Sequence, residues 1–333
     1  QSKKVHFVCG GKSIKKKKTE GCGFDGEVEW REGKLQWRFE WPALWCIFNT
    51  TFEPFGKDHA EGSWKSGVEI MKRVFNREPP IPFVYEFFLV NGEKMSASKG
   101  NVYVVQDMLK IIEREVFLFF YTKRPEKQRD LELSRIWQLA DEFDFTERVY
   151  YGLENDRTDN RDENSKRMYL ATINKPQANC PQRVSYSFCA SLAQLFDDET
   201  ALRKLESLGH LNKPTKEDLE RTKKRLALAR NWIALYAPLE AKVVITPDAS
   251  QYEKLGQKQR EALKEFALVF PSLAHDKQAE KIKEICSAYE LPISDFFKAA
   301  YLVLIAKERG PKLIPFINAL DKTLVKEKFE GKR

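Results

Sequence analysis

The sequence predicts an α/β segment followed by an all-α bundle. Two observations carry this. Residues 1–120 are rich in Trp, Phe, Gly and Pro and hold short apolar runs bounded by Pro or Gly, the pattern of strands. Beyond Pro181 the apolar residues recur at helical spacing in segment after segment. In chain order, Glu27–Trp30 and Leu35–Phe39 flank a Gly-containing turn and predict a hairpin. The run Phe83-Val84-Tyr85-Glu86-Phe87-Phe88-Leu89-Val90 predicts a buried strand. Gln106 to Tyr121 sets Met108, Leu109, Ile112, Val116 and Phe119 on one helical face, and the polar run 154–167 predicts an exposed loop or frayed helix. Helices are then expected over about 183–196, 199–208, 215–236, 252–269, 275–289, 292–308 and 311–325. Pro214, Pro238, Pro271, Pro292 and Pro311 fall between them or at their starts, where proline is tolerated.

Composition narrows the function classes. The 333 residues carry 57 Lys and Arg against 49 Asp and Glu, a net charge of +8, which fits a nucleic-acid or nucleotide partner. Hydrophobic residues make up 42%, enough for a packed core, and no apolar stretch is long enough to span a membrane. Six cysteines without a pairing pattern read as reduced thiols, hence a cytoplasmic protein. The chain opens on Gln1 without an initiator Met, so a fragment of a longer protein is expected.

The segment Gly92-Glu93-Lys94-Met95-Ser96-Ala97-Ser98-Lys99-Gly100-Asn101 follows an apolar strand and precedes an amphipathic helix. Lysine charge, serine hydroxyls and backbone amides on a Gly-bearing turn suit a polyphosphate. Lys94 to Asn101 resembles the Lys-Met-Ser-Lys-Ser signature of class I aminoacyl-tRNA synthetases. With Trp41-Pro42-Ala43-Leu44-Trp45, Phe52 to His59, Tyr85-Glu86-Phe87, Asp141-Glu142-Phe143-Asp144, Leu228 to Trp232, Tyr236-Ala237-Pro238 and Lys307 to Leu313, the order resembles class I lysyl-tRNA synthetases over nearly the whole chain.

That resemblance implies ATP-dependent activation of lysine and transfer to the lysine tRNA, with Mg²⁺ implied by the chemistry. Lys94, Lys99, Ser96 and Ser98 would meet the phosphates as pyrophosphate leaves, and Asp58, Met95 and Lys94 would contact ATP. Trp41, His59 and Tyr85 would line the amino-acid pocket. Residues 1–105 would be the remainder of a Rossmann-type catalytic domain, with a degenerate zinc-knuckle-like insertion over about 1–35. Residues 106–180 would form a stem-contact-like connecting domain, and 181–333 a helical cage for the anticodon. Arg230, Arg309 and Lys312 would contact tRNA phosphates, from a region where Lys213, Lys216, Arg221, Lys223, Lys224 and Arg225 also cluster.

Departures from the family pattern fall at Glu40, Leu44 and Trp64, and no His-Ile-Gly-His-like motif precedes position 94. The N-terminal portion of the same protein, whether on a separate chain or not, is therefore expected to complete the site, and this chain alone is expected to be inactive. Only Cys9 and Cys22, with His6, remain of the insertion's ligands, so zinc is not expected in this chain. Two further classes stay open: a non-catalytic tRNA-binding protein derived from a synthetase, and another class I synthetase such as the glutamyl enzyme.

Overall fold

The computed structural model describes residues 3–14, 17–96, 100–155 and 161–332. They form two compact units: residues 1–87 with 126–128, and residues 88–125 with 129–333.

In the first unit β1 (Lys4–Val8) pairs antiparallel with β4 (Asp25–Glu29), and between them β2 (Gly11–Ile14) pairs with β3 (Lys17–Glu20). Helix α1 (Trp37–Phe48) follows, then β5 (Phe52–Gly56), α2 (Lys65–Arg73) and β6 (Ile81–Tyr85), which lies parallel to β5 with Gly56 opposite Tyr85. The expected hairpin is therefore corrected. The segment Asp25–Glu29 finds its partner in Lys4–Val8, and Leu35–Phe39 runs into a helix. The alternation of Leu35, Trp37 and Phe39 was local; Trp37, Trp41 and Trp45 repeat at four-residue spacing, which a helix brings to one face. Trp41, Trp45, Phe55 and Met71 make this unit's core. Helix α2 reaches it only because position 67 is Gly: a Cβ there would lie 2.8 Å from the Trp45 ring.

The second unit begins with β7 (Phe88–Val90), parallel to β8 (Arg129–Leu131). The expected single buried strand over 83–90 is thus two strands, split at Glu86-Phe87 and assigned to different units. Every residue of β6 is exposed. Helix α3 (Val105–Met108) is short, and α4 (Arg114–Thr122) starts afresh after Glu113, whose backbone is extended (φ −68°, ψ 148°). The continuous helix expected from 106 to 121 breaks there because Glu113 turns its carboxylate inward to a buried arginine.

Then come α5 (Ile136–Tyr150), α6 (Arg161–Thr172), α7 (Tyr186–Leu195), α8 (Asp198–Ser207), α9 (Lys216–Leu235), α10 (Gln257–Val269), α11 (Gln278–Ala288), α12 (Ile293–Ile305), α13 (Leu313–Ala319) and α14 (Lys322–Glu330). The polar run 154–167 enters α6 at Arg161; residues 156–160 lie outside the described residues. Where the caps are strong, helix starts match the sequence: Asp197 accepts from Thr200 N–H before α8, and Thr215 and Asp218 form a capping box before α9. The helix expected over 311–325 is two, because Asp321 caps a new start at α14. Apolar faces gather into two cores. One joins α4, α5, α7 and α9 around Phe119, Phe143, Tyr186 and Trp232; the other joins α10 to α14 around Phe266, Phe296, Phe316 and Phe329.

Candidate functional site

The turn after β7 is built from both ends. Asn91 adopts a left-handed backbone (φ 51°) and Gly92 follows at φ 78°, so the chain reverses in two residues. Asn91 Oδ1 accepts the Leu133 N–H at 2.9 Å, tying the turn to the segment after β8. Val90 and Glu93 exchange backbone hydrogen bonds at 2.9 and 3.1 Å. Asn101 closes the far side: its Nδ2 donates to the Lys94 carbonyl at 3.2 Å and to Glu93 Oε2 at 3.3 Å. Lys94 is exposed, while Met95 packs against the first helical core and Ser96 is half-buried. Ser98 and Lys99 lie outside the described residues. The sequence signal for Asn101 is an Asn directly after a glycine at the end of such a turn, which motif reading alone passes over.

In the first unit, Trp41 is the centre of an aromatic cluster. Its ring lies 5.3 Å from Trp37 in a stack and 4.9 Å from Trp45. It meets Phe55 edge-on at 5.3 Å and His59 at 5.6 Å. Trp64, one of the departures from the family pattern, stacks on Phe55 at 4.6 Å and closes the cluster. Trp41 is only 5% exposed, whereas His59 and Tyr85 are open to solvent. The parallel β5–β6 register sets Tyr85 beside Gly56, where an added Cβ would fall 3.7 Å from the Tyr85 ring and 2.6 Å from Asp58 Oδ1. Asp58 Oδ2 lies 3.8 Å from His59 Nε2. One corner of this unit therefore gathers Trp41, Asp58, His59 and Tyr85. Lys57 donates to Glu86 at 2.5 Å, and Trp45 Nε1 donates to Glu53 at 2.8 Å. Among the described residues the buried Glu40 Oε2 has no hydrogen-bond partner.

The basic helix α9 divides its cations. Arg225 is 1% exposed and is no phosphate contact. It donates to Asp144 Oδ1 at 2.9 Å, to the Val184 carbonyl at 2.8 Å and to Glu113 at 2.5 Å. Burial disfavours its charge, but Glu113 and Asp144 outweigh this and hold it protonated well above the ordinary arginine value. Burial likewise pushes the Glu113 carboxyl up, and the charge and hydrogen bond of Arg225 overcome that and leave it below the ordinary range. Sequence reasoning missed this because the acids lie 112 and 81 residues away. Arg230 donates to the carbonyls of Ala193 and Phe196 at 3.2 and 3.1 Å and pairs with Asp198 at 2.6 Å, joining α9 to the corner between α7 and α8. Trp232 is buried, with Nε1 donating to the Leu133 carbonyl at 2.8 Å. Arg309 and Lys312 are exposed.

Near the N-terminal ribbon, the backbone N–H of Cys22 donates to the Cys9 sulfur, aided by the Gly11 N–H and the Cys22 side chain, and together they lower the Cys9 thiol below its ordinary value. His6 Nε2 lies 2.5 Å from Asp25 Oδ1. Among the described residues no three His, Cys, Asp or Glu side chains gather to hold a metal ion. Nor is any helix there long and apolar enough to cross a membrane.

These sites sit in a chain whose residues 1–174 match the family model described as tRNA synthetases class I (K). The match takes in just over half of the chain, which therefore belongs to the class I tRNA synthetase (K) family. It is 35% identical over 329 residues to a lysine–tRNA ligase of Natronomonas pharaonis, covering 98% of this chain and 60% of that protein. It is 38% identical over 333 residues to the lysine–tRNA ligase of Haloarcula marismortui (98% and 59%), and 36% identical to that of Pyrococcus horikoshii (95% and 62%). The chain thus spans about 60% of the length of these relatives. A solved glutamate tRNA ligase from Elizabethkingia meningosepticum aligns with 98% of the chain and 65% of its own at 11% identity, but with a TM-score of 0.32 that likeness carries no weight.

Proposed function

We propose that the chain carries the signature loop, part of the amino-acid site and the tRNA-binding helices of a lysine–tRNA ligase that works in the cytoplasm. One observation carries this reading: similarity to lysine–tRNA ligases runs through 98% of the chain, and through both units. The local geometry supports roles for individual residues. In activation, a lysine carboxylate oxygen attacks the α-phosphorus of ATP and the bond to pyrophosphate breaks. Lys94, on a turn whose backbone Asn101 fastens, meets the charge that develops on the departing phosphates. Met95 and Ser96 act in the same turn, and Ser98 and Lys99 are proposed to complete it. Trp41 and His59, with Tyr85 across the β5–β6 ladder, supply π-faces and polar atoms suited to an amine on an alkyl stem. Asp58 then serves ATP, or holds one His59 tautomer.

The domain reading joins this proposal: residues 1–105 as the remainder of a Rossmann-type domain, 106–180 as a stem-contact-like connector, and 181–333 as the anticodon cage. The bare β5–β6 ladder supports the first of these. Parallel sheets are stable when both faces are covered, yet Phe52 is 55% and Ile81 68% exposed, so this pair fits within a larger sheet. Mg²⁺ finds no ready-made ligand set among the described residues. Exposed Arg309 and Lys312 suit RNA phosphates; Arg230, already engaged by three partners, would act from the bundle corner.

The test is lysine-dependent exchange of pyrophosphate into ATP by the complete protein, run against a panel of amino acids. Lysine is the expected substrate. Lys94→Ala should cost about 100-fold in rate, the scale of losing one electrostatic partner of a transition state, with the lysine KM little changed. Exchange driven by glutamate, or an undiminished rate in Lys94→Ala, would refute the assignment.

A further inference from the structure

Within the second unit, a cleft of about 470 Å³ opens where the two helical cores meet. Trp232 and Ala190 of the first core and Val243 of the second line it, and Trp137, Pro238 and Pro311 form apolar walls. Its volume falls in the range of ligand sites, roughly 300–1,000 Å³. The indole of Trp137 is half-buried and stacks on no other ring among the described residues. Hydroxyls of Ser134, Ser187 and Ser191 add polar atoms, while Arg135, Arg309 and Lys312 stand against the single carboxylate of Glu240.

The cations at this mouth differ from the others nearby. Lys307 is spent on the carbonyls of Leu239, Glu240 and Lys242, Lys298 on Glu308, and Arg135 on Glu132. The side chains of Arg309 and Lys312 make no ion pair or hydrogen bond among the described residues. Their loop is nonetheless held: Tyr301 donates its phenol hydrogen to the Pro311 carbonyl, and Gly310 lies so close to the Tyr301 ring that an added Cβ would come within 2.8 Å. Two cations whose side chains have no partner among the described residues thus stand on a held loop beside the Trp137 indole, which packs on the first core and lines the cleft, and an apolar floor.

We infer that this cleft takes a single unstacked nucleotide of an RNA strand, its base against Trp137 and its flanking phosphates on Arg309 and Lys312. An apolar peptide would leave both cations unanswered. A duplex would engage them but could not insert a base, because its bases are stacked and paired. The inference rests on the tRNA-ligase reading for its choice of RNA over a free nucleotide, which shares the same chemistry.

The experiment uses the complete protein with a lysine tRNA transcript and, separately, a photoreactive azido-AMP. Trp137→Leu should weaken tRNA binding roughly tenfold, while Trp137→Phe, which keeps a π-face, should stay within about twofold. The Arg309→Gln/Lys312→Gln double variant should lower the slope of log affinity against log salt by about 2, one for each lost phosphate contact. Photo-cross-links should map to 134–137 or 309–312. If tRNA binds but Trp137→Leu binds as tightly as wild type, the cleft assignment falls and the tRNA reading stands. If tRNA does not bind at all, the tRNA reading falls. In that case azido-AMP labelling at Trp137 would retain the cleft as a free-nucleotide site, and no labelling there would end it.

Discussion

Asn101 Oδ1 accepts the backbone N–H of Ser96 at 2.8 Å, across the turn that carries Lys94. The same amide group donates to the Lys94 carbonyl, so one side chain holds both arms of the turn. Asn101→Ala should leave the fold intact and loosen the turn. The expected result is a drop of about tenfold in the pyrophosphate-exchange kcat, with the lysine KM unchanged, because geometry and not substrate affinity is lost. Asn101→Asp keeps the acceptor for Ser96 but not the donor, and should fall between the two. Equal kcat in all three proteins would remove Asn101 from any positioning role.

Arg225 is held by Asp144 and Glu113 with both acids nearly as buried as itself. Arg225→Met should destabilise the protein by about 3 kcal/mol, since it takes the hydrogen-bonding partner from buried Glu113 and leaves buried Asp144 with only Arg183, 3.8 Å away. Replacing all three with apolar or amide partners (Arg225→Met, Glu113→Gln, Asp144→Asn) should recover much of that loss. Chemical denaturation of the variants reads this as a shift in midpoint. An unfolding free energy for Arg225→Met within about 0.5 kcal/mol of wild type would mean the network is not buried in solution.

His210 gives the fold an acid-sensitive point. Burial, with a smaller contribution from the His275 charge, lowers its pKa below 6.5, and its buried Nε2 has no hydrogen-bond partner among the described residues. Below the unfolded value the unfolded chain binds the proton more readily than the folded one, so stability is full above about pH 6.5 and declines as pH falls towards the folded value. The Glu113 carboxyl, lowered by Arg225, adds its own loss only further down, below about pH 4.5. His210→Phe, packed on Phe188 where the imidazole now lies 4.8 Å away, should flatten thermal stability between pH 7 and 5 and leave the lower limb in place. An unchanged slope over pH 7–5 would assign that limb to other groups.

Much of the helical half was legible because its signals are local. Caps such as Asp197 and Thr215, and prolines such as Pro292, sit next to the helices they start. The failures share the opposite character. Whether Leu35–Phe39 is strand or helix depends on where Asp25–Glu29 finds its partner, and that partner is the distant Lys4–Val8. Glu113 breaks a regular apolar helix for an arginine 112 residues on. For the same reason Arg225 counted as a surface cation when read by its neighbours alone. At the site, the residue types were visible in the sequence, but the enclosure of Trp41 by Trp37, Trp45, Phe55 and Trp64 was not, since it draws on three separate elements.

The thiols should separate by reactivity. Cys9 has its thiol lowered first by the Cys22 backbone N–H, then by the Gly11 N–H and the Cys22 side chain. Burial pushes Cys180 up to about 11 and Cys189 up to about 12, and raises Cys286 as well. Because the thiolate is the nucleophile, limiting iodoacetamide at pH 7.5 should alkylate Cys9 before the other thiols, with Cys189 and Cys286 modified only after unfolding. The leading contribution comes from a backbone N–H that Ser would keep. Cys22→Ser should therefore leave the Cys9 rate within about twofold, whereas a side-chain origin would cost much more. Peptide mapping by mass spectrometry decides the matter: if Cys22 or Cys46 is modified first at pH 7.5, the hydrogen bonds at Cys9 do not persist in solution.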